Sequence, residues 1–225
     1  MFKTIPIFLM SFLLSTLIAS EQLVVVLSPE LNATEASMQR YEKGIKWVKI
    51  GDKIPVVLGR SGLGYAHDKI PLKNEGDGHS PAGIFPISSI FGYSEIPNSA
   101  MSYYHADEKL ICIDDVNDSR YNMFALLDPS NPPKSFETMR RNDEVYRNGA
   151  VIGYNVTGEK GRGSCIFIHL NHSDHRPTSG CTAMEEGPLK ELLEWLDPKK
   201  NPQILQIPMS DCAEYQKEFQ GVECE

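Results

Sequence analysis

The sequence predicts a mainly β domain with a few short helices, on three observations. Apolar runs rich in Val, Ile and Phe recur at residues 23–27, 83–87, 110–113 and 165–170. Gly, Pro, Asn and Asp crowd the segments between them, where turns need their backbone freedom or rigidity. One stretch alone, residues 189–196, shows a clear helical period.

The elements follow in chain order. Residues 1–20 carry one charge at Lys3, an almost wholly apolar run over 5–19, and small residues at Ala19-Ser20. That is the layout of a secretory signal peptide. The run is shorter than the roughly 20 residues of a membrane-spanning helix, so no stable membrane insertion is expected after cleavage. Residues 21–44 read as a lead-in of one strand and one helix. The strand is 23–27, and Asn32-Ala33-Thr34-Glu35 has capping-box spacing with Gly44 as a stop. Residues 47–50 and 54–58 flank Gly51-Asp52 like the arms of a hairpin. Residues 59–82, dense in Gly, Asp, His and Pro, predict a long functional loop. Further strands are expected at 83–87, 110–113, 151–154 and 165–170, and a helix over 135–146. Pro188 opens the amphipathic helix, Leu189, Leu192, Leu193 and Leu196 form its apolar face, and Asp197-Pro198 ends it. A last strand is expected at 203–207, closing a domain over 45–208, with a tail at 209–225.

Without the leader, 21 Lys and Arg face 30 Asp and Glu. So acidic a surface excludes nucleic acid as a partner, since phosphate binding needs a basic face. It suits a substrate carrying free amines. The five cysteines are an odd number in an exported chain, where spare thiols pair. Two disulfides and one working thiol are the simplest partition, with Cys112–Cys165 and Cys212–Cys224 as the expected pairs. Reduced tail cysteines are the bland alternative.

The chemistry concentrates in Ser164-Cys165-Ile166-Phe167-Ile168-His169-Leu170 and Thr178-Ser179-Gly180-Cys181-Thr182. His169 ends an apolar strand, and Cys181 follows a glycine in a polar turn. A thiol is nucleophilic as thiolate, and a nearby imidazole is the usual means of forming it. Gly180 permits a sharp turn, which would aim backbone N–H groups at a developing oxyanion. On spacing alone, a buried Cys beside a hydrogen-bonded His is an equal reading.

These residues resemble the L,D-transpeptidase catalytic domain of the YkuD type, whose pattern is a His, a spacer, then Ser/Thr-x-Gly-Cys. His169, Thr178, Gly180 and Cys181 match it in order. Residues 58–64 and Glu75-Gly76-Asp77-Gly78-His79-Ser80-Pro81-Ala82-Gly83-Ile84-Phe85 resemble its upstream Gly-rich segment, so the likeness covers roughly residues 45–208. It implies a β-sandwich, export to the periplasm or cell wall, and acyl transfer on peptidoglycan stem peptides, with no cofactor. It further implies Cys181 as nucleophile, His169 as general base and then acid, and Gly180 and Thr178 as supports. Ser179, His79 and His172 are candidate substrate contacts.

Two positions depart from the family pattern. Ser179 stands where many members have His, and Ala183 where many have Arg. Arg162 and Arg176 are the candidates to replace that arginine. Two alternatives stay open. His169, His172, His175 and Cys181 offer zinc donors, although their spacing fits no helix or strand face. A non-catalytic wall-binding module on the same fold is the other.

Overall fold

The computed structural model describes residues 20–96 and 98–224. The signal peptide expected over 1–20 lies, Ser20 apart, outside the described residues. Strands come in the order β1 (Gln22–Ser28), β2 (Glu35–Lys43), β3 (Trp47–Val57), β4 (Leu63–Tyr65), β5 (Ser80–Gly92), β6 (Tyr103–His105) and β7 (Leu110–Ile113). Then follow β8 (Phe124–Leu126), β9 (Phe136–Thr138), β10 (Asn148–Ile152), β11 (Phe167–Leu170), β12 (Thr182–Met184), helix α1 (Glu186–Trp195), β13 (Gln203–Pro208) and the short α2 (Cys212–Tyr215). Mainly β architecture with short helices is what the pattern of runs and turns predicts.

The large sheet runs β10-β11-β12-β3-β2-β1-β13-β5-β4. The long β5 pairs with β13 through Gly83–Pro86 and then with β10 through Ile87–Gly92. One strand therefore serves both layers, and the sheet folds back on itself as a sandwich. The wrapped core holds Val24, Val26, Met38, Val56, Leu58, Ile168 and Ile204, together with Leu189, Leu192 and Leu193 of α1. The other face of β1 and β13 sends Leu23, Val25, Leu205 and Ile207 against Phe219 and Val222 of the tail. All seven residues of β1 are buried, because both faces are covered. Its unbroken apolar run is the mark of such a strand. The stretch 21–44, read as a lead-in, therefore supplies the middle of the sheet.

Three expectations fail for identifiable reasons. Residues 35–43 are β2, not a helix: Met38 and Tyr41 are three apart, which suggests one helical face. In a strand that odd spacing sends them to opposite faces, and they enter different cores. Residues 47–57 form one strand, not a hairpin. Gly51, with φ +67°, lies in a bulge where Met38 and Arg40 of β2 face Ile54 and Ile50 of β3. Residues 135–146 form β9 and a series of turns, not a helix. Phe136–Thr138 joins β7 in a small three-stranded sheet, β8-β7-β9.

That small sheet packs against the large one through Leu110, Cys112, Met139, Val145 and Tyr146, which meet Phe91, Phe167 and Cys181. Disulfides join Cys112 to Cys165 and Cys212 to Cys224, and the thiol of Cys181 is free. This is the expected partition. The first bridge ties the small sheet to the chain entering β11, and the second closes the tail over the β1–β13 face.

Candidate active site

β11 and β12 run parallel as neighbours, with Ile168 opposite Thr182 and His169 opposite Ala183. Continued by one residue, that register sets Cys181 beside Phe167. The Phe167 N–H indeed donates to Cys181 Sγ at 3.4 Å. Alternation along β11 puts Phe167 and His169 on one face. Cys181 and His169 therefore point the same way from adjacent strands, and both line a cleft of about 240 Å³. The cleft brings His172, Thr178, Ser179 and Gly180 into the same wall.

Cys181 is held by its backbone. Its carbonyl accepts from Thr178 Oγ1 at 2.7 Å and Ser80 Oγ at 2.9 Å. Ser80 Oγ in turn accepts from the Gly59 N–H at 2.9 Å. Thr178 is itself fixed, donating its N–H to the Leu58 carbonyl while its own carbonyl takes the Arg60 N–H, each at 2.9 Å. At Gly180 φ is +146°, and a Cβ would come 2.9 Å from the His79 carbonyl, so glycine is required. The Gly180 N–H donates to Thr178 Oγ1 at 3.1 Å. That amide is committed within the turn rather than free for an oxyanion, and the glycine's contribution here is conformational.

His169 is nearly enclosed, at 4% exposure, with Cys181 at 7%. His169 Nδ1 lies 2.7 Å from the Leu170 carbonyl. A carbonyl only accepts, so Nδ1 carries the proton and Nε2 is left with a lone pair. The ring packs edge-on against Tyr146, centroids 5.2 Å apart. The Tyr146 hydroxyl donates to Glu137 Oε2 at 2.6 Å, and the Arg141 guanidinium lies 5.0 Å over its ring. Burial pushes the Cys181 thiol up to about 12, and the negative charge of Glu137 adds to it. Burial pulls His169 down to about 4, against the Leu170 hydrogen bond. At neutral pH the cleft therefore holds a neutral thiol, its S–H directed to the Cys165 carbonyl at 3.6 Å, and a neutral imidazole on the adjacent strand.

Several sequence-predicted residues lie elsewhere. His79 stands behind the Gly180 turn and not in the cleft lining, with Nδ1 buried and unpartnered. Arg162 bonds the Ala66 carbonyl at 2.7 Å and Asn74 Oδ1 at 3.0 Å, and Arg176 reaches only His172 and Asp174. Neither lines the cleft. Ala183 is 1% exposed, paired in the sheet with His169 on one side and Val57 on the other. The guanidinium groups in the cleft come from Arg60 and Arg141 instead. Glu137, Arg141 and Tyr146 escaped sequence reasoning, since Glu137 arrives from β9 of the small sheet, Arg141 and Tyr146 from the turns after it, and no local motif marks them. His175 turns away to Asn171 and Glu185. Among the described residues, no three His, Cys, Asp or Glu side chains converge as metal ligands would.

A β-sandwich with one free thiol and a tautomer-fixed imidazole sharing a cleft defines a candidate cysteine acyltransferase. The L,D-transpeptidase catalytic domain profile (YkuD) matches residues 32–205, and the chain belongs to that family. Its membership implies L,D-transpeptidase-type chemistry on peptidoglycan. No curated protein sequence matches the chain.

Proposed function

We propose that the chain transfers acyl groups on peptidoglycan stem peptides through a Cys181 thioester, as an L,D-transpeptidase or L,D-carboxypeptidase. The observation that carries this is the single free thiol, set beside His169 in an open cleft while the other four cysteines are bridged. His169 Nε2 takes the thiol proton as Sγ attacks the carbonyl joining an L-centre to D-alanine. Collapse of the tetrahedral intermediate breaks the C–N bond, and the imidazolium returns the proton to the departing amine of D-alanine. A second amine, or water, then attacks the thioester with His169 again as base, and Cys181 leaves as thiol. Thr178 and Gly180 hold the nucleophile, while Ser179 and His172 face the substrate. Residues 1–20 direct export to the periplasm or cell wall. Among the described residues no helix is long and apolar enough to cross a membrane.

Incubation with defined stem tetrapeptides, followed by mass analysis, tests the assignment. A tripeptide product means trimming and a crosslinked dimer means transpeptidation, and Cys181→Ala should give neither. Labelling by a thiol-reactive probe or a carbapenem should vanish in the same variant. Equal labelling of both proteins would favour a non-catalytic wall-binding module.

A further inference from the structure

Glu137 lines the Cys181 cleft from β9. Its Oε2 is held by the Tyr146 hydroxyl at 2.6 Å. Its other oxygen has no protein hydrogen-bond partner and keeps some contact with solvent, in a residue that lines the cleft. The cations around it are already engaged. Arg141 forks onto Asp143 with Nε and Nη2 at 2.8 and 2.6 Å. Lys73 Nζ is held by Asp77 at 2.8 Å and by the Asn74 carbonyl at 2.6 Å. Arg60 bonds the Gly76 carbonyl at 3.0 Å. The other acid in the lining, Glu75, has both oxygens engaged: one takes the Tyr121 and Ser164 hydroxyls, the other the Gly76 N–H. Glu137 is thus the one carboxylate of the cleft with an open oxygen and no ion-pair partner among the described residues.

Burial raises the Glu137 carboxyl above its ordinary value despite the Tyr146 hydrogen bond and the nearby Arg141 charge. A recessed carboxylate with no ion pair of its own is costly, and a compact ammonium is the group that relieves it. We propose that Glu137 receives a protonated amine on the side chain of the acyl-donor peptide, and so sets substrate specificity. The inference rests on the acyl-transfer reading above. The amine concerned is not the attacking one: a carboxylate stabilises the ammonium form, whereas the attacking amine must give up its proton. A donor amine stays charged throughout. It also cancels the negative charge that, after burial, holds the Cys181 thiol up. Substrates with the cation would then both bind and ease formation of the thiolate.

The test uses the full mature chain and two stem tetrapeptides, one ending L-Lys-D-Ala and one with that lysine Nε-acetylated. Acetylation removes the charge and leaves the scissile bond intact. D-alanine release by the parent should favour the free-amine peptide in kcat/KM by roughly tenfold to a hundredfold, the range for a hydrogen bond to a charged group. Glu137→Gln keeps an acceptor for Tyr146 and should process both peptides alike. Equal processing by the parent overturns the proposal without recourse to any variant. So does a preference that survives in Glu137→Gln. Both results leave the acyl-transfer reading standing. If the parent forms no acyl-enzyme with either peptide and no probe labels Cys181, that reading falls and this proposal falls with it.

Discussion

Cys181 and His169 illustrate how surroundings change what two ordinary side chains do. Each is desolvated, so each resists charge: the thiol titrates near about 12 and the imidazole near about 4. Between those limits the neutral pair persists, and iodoacetamide alkylation of the substrate-free protein should climb about tenfold per pH unit from pH 7 to 10. A plateau near pH 8 would instead mean a preformed thiolate–imidazolium pair. The same burial couples to stability. An unfolded His titrates near about 6.5, so the unfolded chain takes up a proton there that the native chain refuses. The stability associated with neutral His169 is present above about pH 6.5 and is lost as pH falls toward 4. The loss is on the order of 3 kcal/mol if no other group compensates. His169→Gln should flatten that part of a urea-midpoint profile against pH. Cys181 works in the opposite sense, since its folded value is raised: its term is full below about pH 9 and fades as pH rises toward 12.

At the scale of elements, the site depends on how loops are pinned to strands more than on the strands alone. Gly59 meets Thr178 in an isolated bridge, and a Cβ there would stand 2.2 Å from the Gly78 carbonyl and 2.8 Å from the Ser80 N–H nitrogen. Gly59→Ala should therefore push apart the two segments that hold the Cys181 carbonyl. It should cost about 1–3 kcal/mol of stability and lower activity with it. Helix α1 provides the contrast. Leu192 is fully buried in the main core, and Leu192→Ala should cost about 2–5 kcal/mol. Its cavity lies in the main core and outside the cleft lining, so peptide turnover at a temperature where the variant is folded should be nearly unchanged. Comparing thermal midpoints with turnover for the two variants separates the roles. Equal loss of turnover in both would contradict the division.

For the molecule as a whole, the two disulfides act on different joints. Cys112–Cys165 spans 53 residues and ties the small sheet, which carries Glu137, to the chain entering β11. Cys212–Cys224 spans 12 residues and closes the tail over β1 and β13. Loop-closure entropy puts the first at about 4 kcal/mol and the second at about 3. Replacing Cys112 and Cys165 together by Ser should lower both the urea midpoint and activity, because one wall of the cleft is then held by packing alone. Replacing Cys212 and Cys224 should lower the midpoint and spare activity. Activity that persists unchanged without the first bridge would show that packing suffices to hold that wall.

Much of this was legible in the chain itself. The apolar run of β1, the heptad-like leucines of α1, the odd cysteine count and the His169…Thr178-x-Gly180-Cys181 spacing each express a local rule, and local rules survive in a linear sequence. Strand periodicity also located Leu110–Ile113 without error. What tertiary structure alone decided was everything set by partners distant in the chain. Residues 35–43 became a strand because β1 and β3 flank them on both sides. The cleft acquired Glu137, Arg141 and Tyr146 because β9 pairs with β7 and the small sheet packs on Phe167. The guanidinium groups of the cleft come from positions 60 and 141, far in sequence from 183. Hydrogen-bond pairing and side-chain contact are made across space, and the cost of exposing an unpaired strand or an unfilled face is settled only when those distant segments meet.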